Sequence, residues 1–369
     1  MAKRFMTILF LLAMVNLSLT MDTNETVKLP AIYIFGDSIF DVGTNSFLPN
    51  SSSRADMQFY GIDSPFQKPT GRFSNGYNAA DRIVNLLGYS ESPPPFLYLI
   101  QNYTENFKTE NIKGVNFASG GSGLLNDTGK RFNRVIPMVE QIQQFETVHG
   151  NISQNLNDPS ESRIHQSLFL FSVGSNDILE FFDKFRKTNP DNATQEVQQF
   201  ITTLMNQYQA HLQNLLNLGA RKFGILSVPP VGCVPILRGT NSDGQCINEL
   251  NVIAQFFYLA LNGVLQDLNS EFPDMKYSLG NTFEIIYSMT DNPPFPILDV
   301  KSACCGNQTL KDGVPCSPDA KVCENRSHFL FWDQYHPSEF ACTLAAHSLC
   351  NGENPYVSPI NFSVLFQPS

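Results

Sequence analysis

Read for side chains that could act on one another, the sequence offers a serine, a histidine and an aspartate in suggestive settings. Ser38 follows the apolar run Ala31-Ile32-Tyr33-Ile34-Phe35 and the turn residues Gly36-Asp37, while Asp333 and His336 stand three residues apart in Phe331-Trp332-Asp333-Gln334-Tyr335-His336-Pro337. A serine hydroxyl becomes a useful nucleophile only when an imidazole takes its proton, and that imidazole needs a third group to orient it. The tetrahedral product of attack on a carbonyl carries a negative oxygen, which requires preorganised N–H donors. Two further turns offer such donors: Gly121 within Ala118-Ser119-Gly120-Gly121-Ser122-Gly123, and Asn176 within Gly174-Ser175-Asn176-Asp177. The chemistry these groups would perform together is acyl transfer through an acyl-serine, which calls for no metal or cofactor.

Singly, each residue has a plain structural reading. Ser38 could cap a helix after the first strand, Asn176-Asp177 could be turn formers, His336 a surface or core residue and Asp333 a solvated loop acid or cap. Their positions along the chain argue otherwise. Four short apolar runs, residues 31–35, 113–117, 167–173 and 222–228, each stop at a turn, and three of those turns carry Ser38, Gly121 and Asn176. Helical spacing follows the last two runs' neighbourhood: Val197, Phe200, Ile201, Leu204, Tyr208, Leu212, Leu215 and Leu216 end at Gly219, and a second series runs from Ile247 to Leu268. Strands alternating with helices predict a parallel sheet covered on both faces, which binds ligands at the carboxyl ends of its strands. All the candidate turns belong to that edge. Residues 48–64 and 291–325 read as irregular insertions that decorate the domain.

Here the blocks resemble a known family. Phe35-Gly36-Asp37-Ser38-Ile39-Phe40-Asp41-Val42-Gly43-Thr44-Asn45, Gly114-Val115-Asn116-Phe117-Ala118-Ser119-Gly120-Gly121, Gly174-Ser175-Asn176-Asp177 and the segment from Phe331 to Pro337 look like the four blocks of plant-type GDSL (SGNH) esterase/lipases, in family order. Ile39 stands where many members carry Leu, and Gly71-Arg72-Phe73-Ser74-Asn75-Gly76 is typical of the plant branch. The resemblance implies a three-layer α/β/α, flavodoxin-like SGNH hydrolase fold with a parallel central sheet. It implies Ser38 as nucleophile, His336 as base and Asp333 as its orienting acid. Oxyanion donors would be the N–H of Ser38, the N–H of Gly121 or its neighbour Gly120, and the side-chain amide of Asn176. The substrate would be a small-molecule or lipid ester. The short Asp-x-x-His spacing makes the dyad local, with Pro337 expected at the first position of a closing helix. No G-x-S-x-G elbow occurs in the chain, which removes the commonest competing serine-hydrolase pattern.

The remaining features bound the setting. Lys3-Arg4, the apolar run from Phe5 to Val15 and a small or polar stretch before Met21 have the layout of a secretory signal peptide, so residues 1–20 are expected to be a leader and 21–369 a single hydrolase domain that is secreted. That run is too short to span a bilayer, and no later one is long enough. Eight cysteines without a C-x-x-C pair predict disulfides, with Cys304, Cys305, Cys316 and Cys323 crowding one loop and Cys233 and Cys246 bracketing another. Glycosylation acceptors stand at Asn24, Asn50, Asn102, Asn126, Asn151, Asn192, Asn307, Asn325 and Asn361. A formal charge of −10 leaves no basic stripe for nucleic acid and favours neutral substrates. An acyltransferase, a carbohydrate O-acetylesterase or an idle binding glycoprotein could share the scaffold, although the last would be expected to lose a triad member, and none is lost. Oligomeric state is open.

Overall fold

In a computed structural model, residues 29–102, 113–155, 160–188, 192–306 and 315–367 are described. The expected leader, with Asn24, and the acceptor Asn307 lie outside the described residues. The apolar runs become short, fully buried strands: β1 Ile32–Gly36, β2 Gly114–Asn116, β3 Leu168–Ser172 and β4 Lys222–Leu226. A further strand, β5 Lys276–Gly280, extends the parallel set; its alternating polar and apolar residues carry a weaker signal than a continuous apolar run. After β6 (Asp299–Ala303) and β7 (Phe329–Phe331), the short β8 (Val357–Ser358) adds an antiparallel edge. The sheet order is β2-β1-β3-β4-β5-β8. The chain leaves β1 toward β2 on one side and returns to β3 on the other, so the crevice at the carboxyl ends of β1 and β3 is the switch point where such sheets bind ligands.

Alternation of side chains along each strand divides the core into two layers. Tyr33, Phe35, Phe169, Phe171 and Phe223 face one side, under helices Met138–Asn155, Ala193–Asn217 and Asn248–Glu271. Ile32, Ile34, Leu168 and Leu170 face the other, under helices Ala79–Leu86, Glu339–Asn351 and Phe362–Phe366. This is the expected α/β architecture. The helix from Ala193 buries Ile201, Leu204, Tyr208, Leu212, Leu215 and Leu216 and gives way at Gly219, whose φ of +93° suits glycine at a helix end.

No helix begins at Ser38, since β1 runs into a turn there. Two local expectations need correction. The closing helix starts at Glu339 with Ser338 as its cap, accepting from the Ala341 N–H, so Pro337 lies before the helix; the Ser338 hydroxyl competes successfully for the N-cap position. Residues 291–325 are not wholly irregular, because β6 pairs in parallel with β7 in a separate two-stranded sheet. That sheet seeds a third small core of Ala55, Tyr60, Phe73, Trp332 and four half-cystines. Cys304–Cys323 and Cys305–Cys316 close this loop, and Cys233–Cys246 closes the other. Cys342 and Cys350 are buried free thiols on one helix. Eight residues of helix separate them by about 12 Å, beyond disulfide reach.

Candidate active site

The turn that carries Ser38 is held by the backbone of Gly36. Its φ is +141°, and a Cβ there would stand 2.0 Å from the Ser172 carbonyl oxygen, so only glycine lets β1 end against β3 in this way. The Asp37 N–H then donates to Ser172 at 3.0 Å. The Gly36 carbonyl accepts from Ser119 N–H at 3.0 Å, Ser122 Oγ at 2.9 Å and Gln141 Nε2 at 2.9 Å, which ties the turn after β1 to the turn after β2. Burial pushes the Asp37 carboxyl up to about 7, opposed by the Ile39 N–H that it accepts.

Asp333 and His336 occupy a tight loop closed at its base, where the Trp332 N–H donates to the His336 carbonyl at 2.8 Å and the Ser338 N–H to Leu330 at 2.9 Å. Within the loop Asp333 Oδ1 accepts the N–H groups of Tyr335 at 2.9 Å and His336 at 2.8 Å. The His336 Nδ1 lies 2.8 Å from both carboxylate oxygens, and Nε2 lies 2.8 Å from Ser38 Oγ. A carboxylate can only accept, so Nδ1 carries the proton and Nε2 presents a lone pair to the serine. Burial pushes the Asp333 carboxyl up, but the imidazole and the two backbone N–H groups outweigh it and hold the group below the ordinary carboxylate range. Phe73, from the Gly71–Gly76 loop, packs on the imidazole with ring centroids 4.8 Å apart.

One participant escaped the sequence reading. Tyr60 lies in the stretch 48–64, taken above as decoration, yet its hydroxyl donates to Asp333 Oδ2 at 2.8 Å. Burial, then the adjacent carboxylate, raise this phenol well above its ordinary value and keep it a donor. A tyrosine in an irregular segment carries no local signal of such a partner. The disulfide loop also reaches the site: the Cys305 N–H donates to the Trp332 carbonyl at 2.7 Å, one residue before Asp333.

Around Ser38 the donors sort themselves. The Gly120 N–H is engaged by Asp41 Oδ2 at 2.8 Å. Among the described residues the N–H groups of Ser38 and Gly121 have no acceptor, and both residues line one cleft with Asn176 and His336. The Asn176 amide sits at the start of helix Ser175–Thr188 and gives one hydrogen to the Ser122 carbonyl at 2.9 Å; its second is available to the cleft. Buried Asp177 fixes the spacing of these groups, accepting from Leu124 N–H at 2.9 Å, Leu125 N–H at 3.0 Å and Thr128 Oγ1 at 2.7 Å. Ser38, Gly121, Asn176 and His336 thus line one crevice, with Asp333 bonded to the imidazole. The arrangement places a proton acceptor, His336 Nε2, at Ser38 Oγ, and N–H groups of Ser38, Gly121 and Asn176 belong to residues that line the same cleft.

Comparison with known proteins bears on the family of the chain. The family model described as GDSL-like Lipase/Acylhydrolase matches residues 32–349. A GDSL esterase/lipase of Arabidopsis thaliana is 35% identical over 350 residues, covering 93% of this chain and 91% of its own length. GDSL esterase/lipase 6 of the same plant is 37% identical over 345 residues, covering 91% and 90%. Among solved structures, an extracellular lipase from Streptomyces rimosus aligns with 88% of this chain and 96% of its own at 11% identity, with a TM-score of 0.33, too loose a superposition to carry an argument. With nearly the whole described sheet inside the matched span, the chain belongs to the GDSL-like lipase/acylhydrolase family and is a carboxylic ester hydrolase by class.

Proposed function

We propose that the chain hydrolyses carboxylic esters through an acyl-enzyme on Ser38. The observation that supports this best is the unbroken run of 2.8 Å contacts from Asp333 through His336 to Ser38. Ser38 Oγ attacks the ester carbonyl as His336 Nε2 takes the hydroxyl proton, forming the O–C bond and moving the carbonyl pair onto oxygen. The N–H groups of Ser38 and Gly121 and the Asn176 amide then donate to that oxyanion. Collapse breaks the bond to the alcohol, which leaves with the proton from His336. Water repeats the sequence on the acyl-serine, giving the acid and restoring Ser38. A fluorophosphonate is expected to label Ser38 stoichiometrically in folded protein, read by peptide mapping. A label elsewhere, or none, would refute the assignment.

The chain is further read as exported, one hydrolase domain following a cleaved leader. Three disulfides support this, as do the exposed acceptors Asn50, Asn102, Asn126, Asn192 and Asn325. No helix among the described residues is long and apolar enough to cross a membrane. Intact mass of protein from a secreting host should show loss of residues 1–20, N-glycans and two alkylatable thiols, Cys342 and Cys350, after unfolding without reductant. Eight alkylated thiols on an unglycosylated chain would sink the reading.

A further inference from the structure

Apart from the groups that the steps above use, the cleft holds one side chain of fixed positive charge. Arg131 lines it together with Ser38, Gly121 and His336, and stands at the rim with 45% of its side chain exposed. The only carboxyl group in the same lining, that of Asp37, is buried.

The chain around Arg131 is fixed from both sides. Residues Lys130–Phe132 form a single 3-10 turn packed on the turn that carries Gly121, where a Cβ would stand 2.6 Å from the Phe132 ring. The Phe132 carbonyl accepts from the Ser52 N–H at 3.0 Å. The Arg131 guanidinium lies over the Phe132 ring, 4.7 Å from its centroid, a stacking that holds the planar group by its face and leaves its N–H edges free.

Within the protein that cation is loosely satisfied. Its Nε lies 3.6 Å from Glu180 Oε1, longer than a hydrogen bond, and that oxygen already accepts the Gly129 N–H at 3.0 Å. So loose and exposed a pair contributes little to stability. Glu180 does not line the cleft, whereas Arg131 does. Among the described residues the guanidinium donates no hydrogen bond, so both terminal NH₂ groups are open to a ligand. Its charge acts inside the cleft: burial raises the Tyr335 phenol, and the Arg131 guanidinium opposes that rise. Tyr335 immediately precedes His336 and lines the same cleft. The formal charge of −10 on the whole chain favours neutral substrates, but exposed charges more than about 8 Å away are largely screened, so the cleft's own cation decides locally.

We infer that Arg131 binds an anionic group, a carboxylate or a phosphate, carried by the ester substrate at a distance from the scissile bond. The inference rests on the Ser38 reading, which makes this cleft the place where the ester lies. A guanidinium fork matches either anion through paired N–H donors.

Two substrate pairs test it by placing the charge on either side of the ester. On the acyl side, p-nitrophenyl hydrogen adipate is compared with its neutral methyl ester; on the alcohol side, 1-hexanoylglycerol 3-phosphate is compared with 1-hexanoylglycerol. The ratio of kcat/KM, anionic over neutral, is measured in wild type, Arg131→Gln and Arg131→Lys, with and without added salt. In at least one pair the ratio should fall about tenfold in Arg131→Gln, be partly kept in Arg131→Lys, and fall with salt in wild type. Ratios that Arg131→Gln leaves within about twofold in both pairs overturn the inference, including the case where both members of a pair lose activity equally, as a purely structural side chain would give. Fluorophosphonate labelling of the same preparations separates the readings. Labelled Ser38 with indifferent ratios sinks the anion site alone, whereas a responsive ratio without label at Ser38 sinks the nucleophile assignment and leaves the anion site standing.

Discussion

Replacing His336 with alanine is expected to lower kcat by about 10⁴- to 10⁶-fold while the protein stays folded. In the proposed mechanism the imidazole takes the Ser38 proton; Nε2 lies 2.8 Å from Oγ, and among the described residues no other base contacts Ser38 Oγ. Asn176→Ala should cost less, about 10²- to 10³-fold, because two backbone donors to the oxyanion remain. The loss should fall on kcat more than on KM, since the amide matters chiefly once the carbonyl has become tetrahedral. The amide does not titrate, so the Asn176→Ala profile of kcat/KM against pH should keep its shape and lie lower throughout. If Asn176 only braces a turn through its bond to Ser122, the substitution would lower the melting temperature and leave kcat of the folded fraction near normal. Steady-state kinetics corrected for folded active protein separates the two.

The second large effect is expected at Asp333, where Asp333→Asn should reduce kcat by about 10⁴-fold. The backbone N–H groups of Tyr335 and His336 both point at Oδ1, so the new side chain keeps its oxygen there and places its NH₂ at the Oδ2 position. That group now faces Nδ1 and favours the imidazole tautomer whose Nε2 is protonated, which cannot accept from Ser38. Tyr60→Phe removes only the hydroxyl that donates to Oδ2, and about a tenfold loss of kcat with little change in KM is expected. The double variant Asp333→Asn/Tyr60→Phe should be less impaired than the product of the two losses, because both changes act on one hydrogen-bonded unit. Full kcat in Tyr60→Phe, or strict multiplication of the two effects, would remove Tyr60 from the site.

Much of this was legible because its causes are short-range. Turn residues at strand ends announced β1 to β4, and the three-to-four spacing from Val197 to Leu216 and from Ile247 to Leu268 announced two long helices. The Asp-x-x-His dyad was legible for the same reason, being closed by hydrogen bonds within a few residues. β5, β6, β7 and β8 were missed, since strands that are this short or carry polar residues are recognisable only once a neighbour supplies the ladder. Pro337 was misplaced because its ring suits a first helical turn as well as the residue before a Ser cap.

By itself the sequence determined which chemical groups were available and at which sheet edge they would gather, because backbone propensity and side-chain periodicity act over a few residues. Tertiary structure alone decided how those groups are placed. It set Gly120 against Asp41 and so left the Gly121 N–H open to the cleft. It brought Tyr60 to Asp333 across 273 residues, and put Cys342 and Cys350 on one helix where they cannot pair. Each of these depends on atoms remote in the chain meeting at about 3 Å, a distance fixed by packing of the whole core and encoded in no single segment.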